Sequence, residues 1–192
     1  GIMAAIHPAL GKGKLLARLS AVAELGPAED GGLREDRTGG AIPLVYLAAL
    51  TYPLSSGDAE SVIHRLNMPR PWAQVVRDTV YLKRREAELA GPSLPRSRLV
   101  ALVEVSCPEA VMAVSRVAGS PGVACRLAED MNELRFVTPA LNGRDLLAMG
   151  VPDGPMVGRV LRGLREAKLD RKVSTEAEER RLVQDILGRG ES

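Results

Sequence analysis

Aromatic side chains are nearly missing: Trp72, Phe136 and three tyrosines make up 3% of the 192 residues. A core without them is built from Ala, Leu, Val and Ile, which favours packed helices over a β-sandwich. The two cysteines, Cys107 and Cys125, are too few for a disulfide framework or a four-Cys zinc site. Only two histidines occur, His7 and His64, far apart in the chain. No HExxH, CxxC, GxSxG or P-loop pattern is present. No apolar run reaches the roughly 20 residues that span a bilayer, and the start has no charged-then-apolar leader. These absences lead to the expectation of a cytoplasmic protein with free thiols and no membrane partner. The formal net charge is +2, so the placement of charge matters more than its sum.

What is present reads as helix, with no convincing strand pair. Apolar residues at helical spacing predict a helix over 12–25, ended by Gly26-Pro27. The glycine-rich, charged stretch 26–40 reads as a loop or linker. Ala41–Tyr52 is apolar almost throughout and reads as a buried helix. Ser56-Gly57-Asp58-Ala59-Glu60 reads as a helix start with acids in its first turn. Pro69 and Pro71 break the chain and open a long helix to about Ala90. Shorter helices follow over 98–106, 107–118 and 119–136. Three more close the chain, over 143–149, 155–169 and 174–187, the last with Ser174 or Thr175 as its cap. The expected fold is all-α, an irregular array of short helices, with a helical body over 1–138 and a small helical tail over 139–192.

The acidic pairs Glu29-Asp30, Glu35-Asp36 and Glu129-Asp130 read as solvated charge rather than a two-metal site. Both cysteines read as packing residues. The strongest local signal is the run from Leu141 to Leu161. It predicts a helix, a tight turn with Gly150 at positive φ, and a second helix starting at Pro155 with free amides suited to a phosphate. Gly154 and Gly158 leave room for a close partner. Six basic and two acidic residues lie between Gly154 and Lys172. Arg159, Arg162 and Arg165 read as a basic stripe on one flank of that helix, followed by Lys168, Arg171 and Lys172, with Arg144 on the preceding helix; such a surface suits nucleic acid. A second basic cluster, Arg65 to Arg85, holds six basic residues against Asp78 alone and includes Trp72 and Tyr81. Trp72 reads better as a core anchor than as a base-stacking platform.

The run Leu141-Asn142-Gly143-Arg144-Asp145-Leu146, then Gly150, Gly154-Pro155, Gly158 and Leu161, then Ala167-Lys168-Leu169-Asp170 and Ser174-Thr175-Glu176-Ala177-Glu178, resembles the C-terminal tail of bacterial class II CCA-adding enzymes and poly(A) polymerases. Arg171 stands where that family usually has Gly. Ile2-Met3-Ala4-Ala5-Ile6-His7-Pro8-Ala9-Leu10 resembles the element that opens the family's helical body.

The resemblance implies the RNA-binding body and tail of a tRNA nucleotidyltransferase-like protein, with tRNA or another structured RNA as partner. It further implies a separate N-terminal catalytic head, which would hold Mg2+ and nucleoside triphosphates. The head's DxD pair does not occur in this sequence. The expectation is therefore no cofactor and no catalytic residue in this chain, and no activity from it alone. The candidate RNA-binding residues are Arg144, Gly154, Gly158, Arg159, Arg162, Arg165 and Lys168. The competing reading is a helical protein-interaction or homo-oligomerisation module, in which the apolar 41–50 segment packs against another domain or a second copy.

Overall fold

The computed structural model describes residues 5–11, 14–24 and 41–190. The 26–40 loop, the pairs Glu29-Asp30 and Glu35-Asp36, the ends of the first expected helix and the first three residues of the opening Ile2–Leu10 element lie outside the described residues. Eleven α-helices and no strand occur among the described residues, the all-α array of short helices that the sequence predicts.

The chain divides into two units. The first comprises Gly1–Leu94 and Ala101–Asn132, the second Pro95–Val100 and Glu133–Ser192. The sequence reading places 95–100 in the body. It belongs with the second unit because Ser97 donates its amide and its hydroxyl, each at 2.9 Å, to the carboxylate of Asp170.

The first unit holds α1 (Leu15–Ala23), α2 (Ala41–Thr51), α3 (Ser56–Arg65), α4 (Arg70–Arg84), the single turn α5 (Glu86–Leu89), the second half of α6 (Arg96–Val103), α7 (Pro108–Val117) and α8 (Pro121–Asn132). The expected long helix to Ala90 is interrupted at Arg85, whose φ of −101° and ψ of 7° leave the helical region. The expected helix to Phe136 likewise stops at Asn132, and a 3-10 turn, Leu134–Phe136, follows. Helix α2 packs against α1, α4 and α7. Val22, Val45, Ala48, Ala49, Val75, Met112 and Ala113 form the resulting core, and Leu10, Leu54, Val62, Ile63 and Val76 lead a second one under α3 and α4. Small residues let the helices approach closely, which is how a chain poor in aromatics fills its interior. The segment 41–50 is thus largely spent inside the unit, and of its apolar residues Ile42 stays exposed.

Capping explains several boundaries. Ser55, one residue before the start read from sequence, caps α3: its hydroxyl accepts from the Asp58 amide while the Asp58 carboxylate accepts from the Ser55 amide, both at 3.2 Å. The buried Asp78 carboxylate accepts from Gln74 at 2.8 Å and from the Cys107 amide at 2.9 Å, so a side chain of α4 satisfies a donor at the start of α7.

The second unit holds the first half of α6, the 3-10 turn, α9 (Gly143–Ala148), α10 (Pro155–Leu169) and α11 (Glu176–Gly190). Leu141, Leu146, Val151, Val160, Leu164 and Val183 form its core. Each fully buried Leu or Val contributes about 1.5–3 kcal/mol.

Candidate nucleic-acid interface

The turn between α9 and α10 is built as the sequence predicts. Asn142 caps α9, its side-chain oxygen accepting from the Arg144 and Asp145 amides, while Asp145 accepts from the Asn142 amide at 2.9 Å. At the other end, Gly150 takes φ of 92°. Its amide donates to the Leu147 carbonyl and the Val151 amide to the Leu146 carbonyl, both at 3.0 Å. Leu146 and Val151 then pack in the same core, which fixes the angle at which the chain leaves for α10.

The amides at the start of α10 are less open to a phosphate than the sequence suggests. Pro155 has no N–H to offer. The Gly154 amide donates to the Asp153 carboxylate at 2.7 Å, and the Val157 amide contacts the Gly154 carbonyl at 3.2 Å. An acid already sits at the positive end of this helix, where it opposes a second anion. Gly154, at φ of 102°, and Gly158 are both exposed, and no neighbouring heavy atom would meet a side chain at either.

The four basic side chains of α10 expected to contact RNA, Arg159, Arg162, Arg165 and Lys168, separate into two pairs. Residues three apart on a helix differ by about 60° in direction, so four of them turn through about 180°. Arg159 and Arg162 lie on the solvent face of α10 and are exposed, with no hydrogen bond or ion pair to the rest of the described residues. Arg165 and Lys168 turn toward the protein. Arg165 donates from Nε to the Val137 carbonyl at 3.0 Å and reaches the Arg135 carbonyl at 3.4 Å. It thereby holds the carbonyls around the 3-10 turn. Lys168 Nζ lies 3.3 Å from the Glu179 carboxylate. The basic face of α10 therefore reduces to two guanidinium groups facing water, Arg159 and Arg162, and Glu166 on the same face tempers their field.

Arg144 is exposed and borders a shallow hollow with Leu147, Asp153 and Val157, beside the start of α10. Sequence reasoning passed over Phe136. It is the one aromatic residue between 133 and 192, and its ring is exposed next to the carbonyls that Arg165 holds. Its isolation in an aromatic-poor chain was the available signal.

The remaining chemistry-bearing residues are quiet. No group of three or more His, Cys, Asp or Glu side chains able to hold a metal ion occurs among the described residues. Burial raises the Cys107 thiol well above its ordinary range, which keeps it protonated. Cys125 is exposed rather than packed. Trp72 is half-buried at the start of α4. No helix among the described residues is long and apolar enough to cross a membrane. No protein-family model, no curated protein and no solved structure matches the chain.

Proposed function

We propose that the second unit binds structured RNA, mainly through phosphate and shape, with Arg159 and Arg162 as the principal contacts and Arg144 at the adjoining turn. One observation carries this reading: two guanidinium groups with no partner among the described residues stand three residues apart on the solvent face of α10. Guanidinium recognises phosphate bidentately, and duplex RNA offers little base-specific information to side chains. Phe136 adds a ring on which an unpaired base can stack. The likeness of residues 141–178 to the tail of CCA-adding enzymes favours tRNA as the RNA and a nucleotidyltransferase head as the protein partner, with Mg2+ and nucleotide handled by that head.

Fluorescence anisotropy with labelled tRNA, at low salt, tests the reading. Wild-type chain is expected to bind tRNA better than an unstructured RNA of equal length, and Arg144→Ala/Arg159→Ala/Arg162→Ala to lose most of that binding. Dimerisation by light scattering without tRNA affinity favours the competing interaction module, for which Leu16 and Ile42 are exposed apolar side chains.

A further inference from the structure

The first unit carries a basic pocket that the tail reading does not use. It lies between α3 and α4, and its chemistry comes from Ser56, Glu60, Arg77, Tyr81, Arg84 and Arg85. Its volume is about 180 Å3. At about 30 Å3 per water this is the room of some six waters, enough for a phosphate group and a short ester arm.

The charges in this pocket do not cancel. Arg77 is bound bidentately by Glu60, Nε to Oε1 at 2.7 Å and Nη2 to Oε2 at 2.8 Å. That pair neutralises itself. Two carboxylates stand outside this lining: Asp58 accepts from the Ser55 hydroxyl, and Glu86 from the Tyr52 hydroxyl. Arg84 and Arg85 remain, and neither has a carboxylate partner among the described residues. Arg84 donates to the Ser56 hydroxyl, at 3.2 Å. Arg85 lies over the Tyr81 ring, 3.6 Å from its centroid, and touches the Tyr81 carbonyl weakly at 3.5 Å.

Both guanidinium groups are thus held by neutral partners before any ligand arrives. Stacking on Tyr81 leaves the edge of Arg85, where its N–H donors lie, free to bind an anion. Ordering long side chains in advance lowers the entropy that a ligand must offset. The Ser56 hydroxyl accepts from Arg84 and still has its own proton to donate. Two cations and one hydroxyl donor in a concave site make the arrangement that a phosphate group requires.

We infer that this pocket is a phosphate-binding site, with Arg84 and Arg85 as its charged ligands, Ser56 as a neutral donor and the Glu60–Arg77 pair as its wall. The phosphate belongs either to a free phosphomonoester or to a polynucleotide backbone. In either case Glu60 works against the ligand, so its neutralisation strengthens binding.

Amide and arginine side-chain NMR shifts of the full chain, titrated with inorganic phosphate and with AMP at constant ionic strength, test the assignment. Saturable shifts at Ser56, Arg84 and Arg85 are expected. Arg84→Gln and Arg85→Gln should each weaken binding about tenfold, Glu60→Gln should tighten it, and Arg159→Ala/Arg162→Ala should leave it unchanged. Displacement of phosphate by tRNA, with weaker tRNA binding in Arg84→Gln, identifies a polynucleotide source. Equal phosphate and AMP binding in the presence and absence of tRNA identifies a free phosphomonoester. Shifts that chloride reproduces in a matched titration, or that survive undiminished in folded Arg84→Gln and Arg85→Gln, overturn the site. The tail can fail to bind RNA without altering any of these phosphate readings.

Discussion

Lys168 Nζ lies 3.3 Å from Oε1 of Glu179, a side chain with 0% exposure. The same carboxylate accepts from the Ala140 amide, at 2.9 Å to its nearer oxygen, and from the Leu141 amide at 3.0 Å. Glu179 therefore joins α11 to the strand of chain that enters α9, and Lys168 of α10 balances its charge. A lysine that looks like part of a basic surface has a structural task instead.

Truncating either partner has a predictable cost. Glu179→Ala leaves two amides and a half-buried ammonium unsatisfied and should destabilise the second unit by about 3–5 kcal/mol. Lys168→Met keeps the two amide bonds and should cost less. Hydrogen exchange at Ala140 and Leu141 checks this: protection should collapse in Glu179→Ala and fall only partly in Lys168→Met.

Arg171 occupies φ of 57° in the turn that ends α10. Its amide donates to the Lys168 carbonyl, and the Lys172 amide donates to the Ala167 carbonyl at 2.8 Å. This is the left-handed closing turn in which glycine carries no steric penalty. Arg171→Gly should stabilise the protein by about 1 kcal/mol, relief of left-handed strain outweighing the entropy of the more flexible residue. A rise in the urea midpoint of the second unit's signals checks it; a fall contradicts it.

Glu178 closes a reciprocal cap at the start of α11. It accepts from the Ser174 amide at 2.7 Å, the Thr175 amide at 3.0 Å and the Ser174 hydroxyl at 2.9 Å, while Thr175 accepts from the Glu178 amide at 3.3 Å. The Ser174 amide first, then the Thr175 amide and the Ser174 hydroxyl, pull the carboxyl from 4.5 down to about 2. A depressed carboxyl stabilises the folded state above its unfolded value and loses that contribution as pH falls. The cap should therefore weaken between pH 4.5 and about 2. Glu178→Gln should remove this acid-dependent step from the fraying of α11, as followed by amide shifts at Ser174 and Thr175.

The helix ends were the legible part of this sequence. Gly150 past α9, Pro155 at the start of α10 and the acids after Ser55 and Thr175 all act within four residues of where they stand, so their pattern is local. Three other carboxylates were not legible. Asp78 caps through the Cys107 amide, Asp170 through Ser97 and Glu179 through Ala140 and Leu141, each pairing 29 or more residues apart. No spacing rule reaches that far. The basic face departs from its sequence pattern for a geometric reason: a three-residue repeat drifts around a helix, which carries Arg165 and Lys168 off the face that Arg159 and Arg162 share.

Arg165→Met separates a structural role from a binding one. Losing the bonds to the Val137 and Arg135 carbonyls should cost about 1–2 kcal/mol of stability. In the folded variant, the salt dependence of tRNA binding should match that of the wild type.

The most direct test of the RNA reading is the slope of log Kd for tRNA against log salt, measured for wild type and for Arg159→Ala/Arg162→Ala. Two lost phosphate contacts should flatten that slope by about 1.4–1.8. An unchanged slope in a folded double variant would contradict the claim that these two arginines are the surface on which RNA is held.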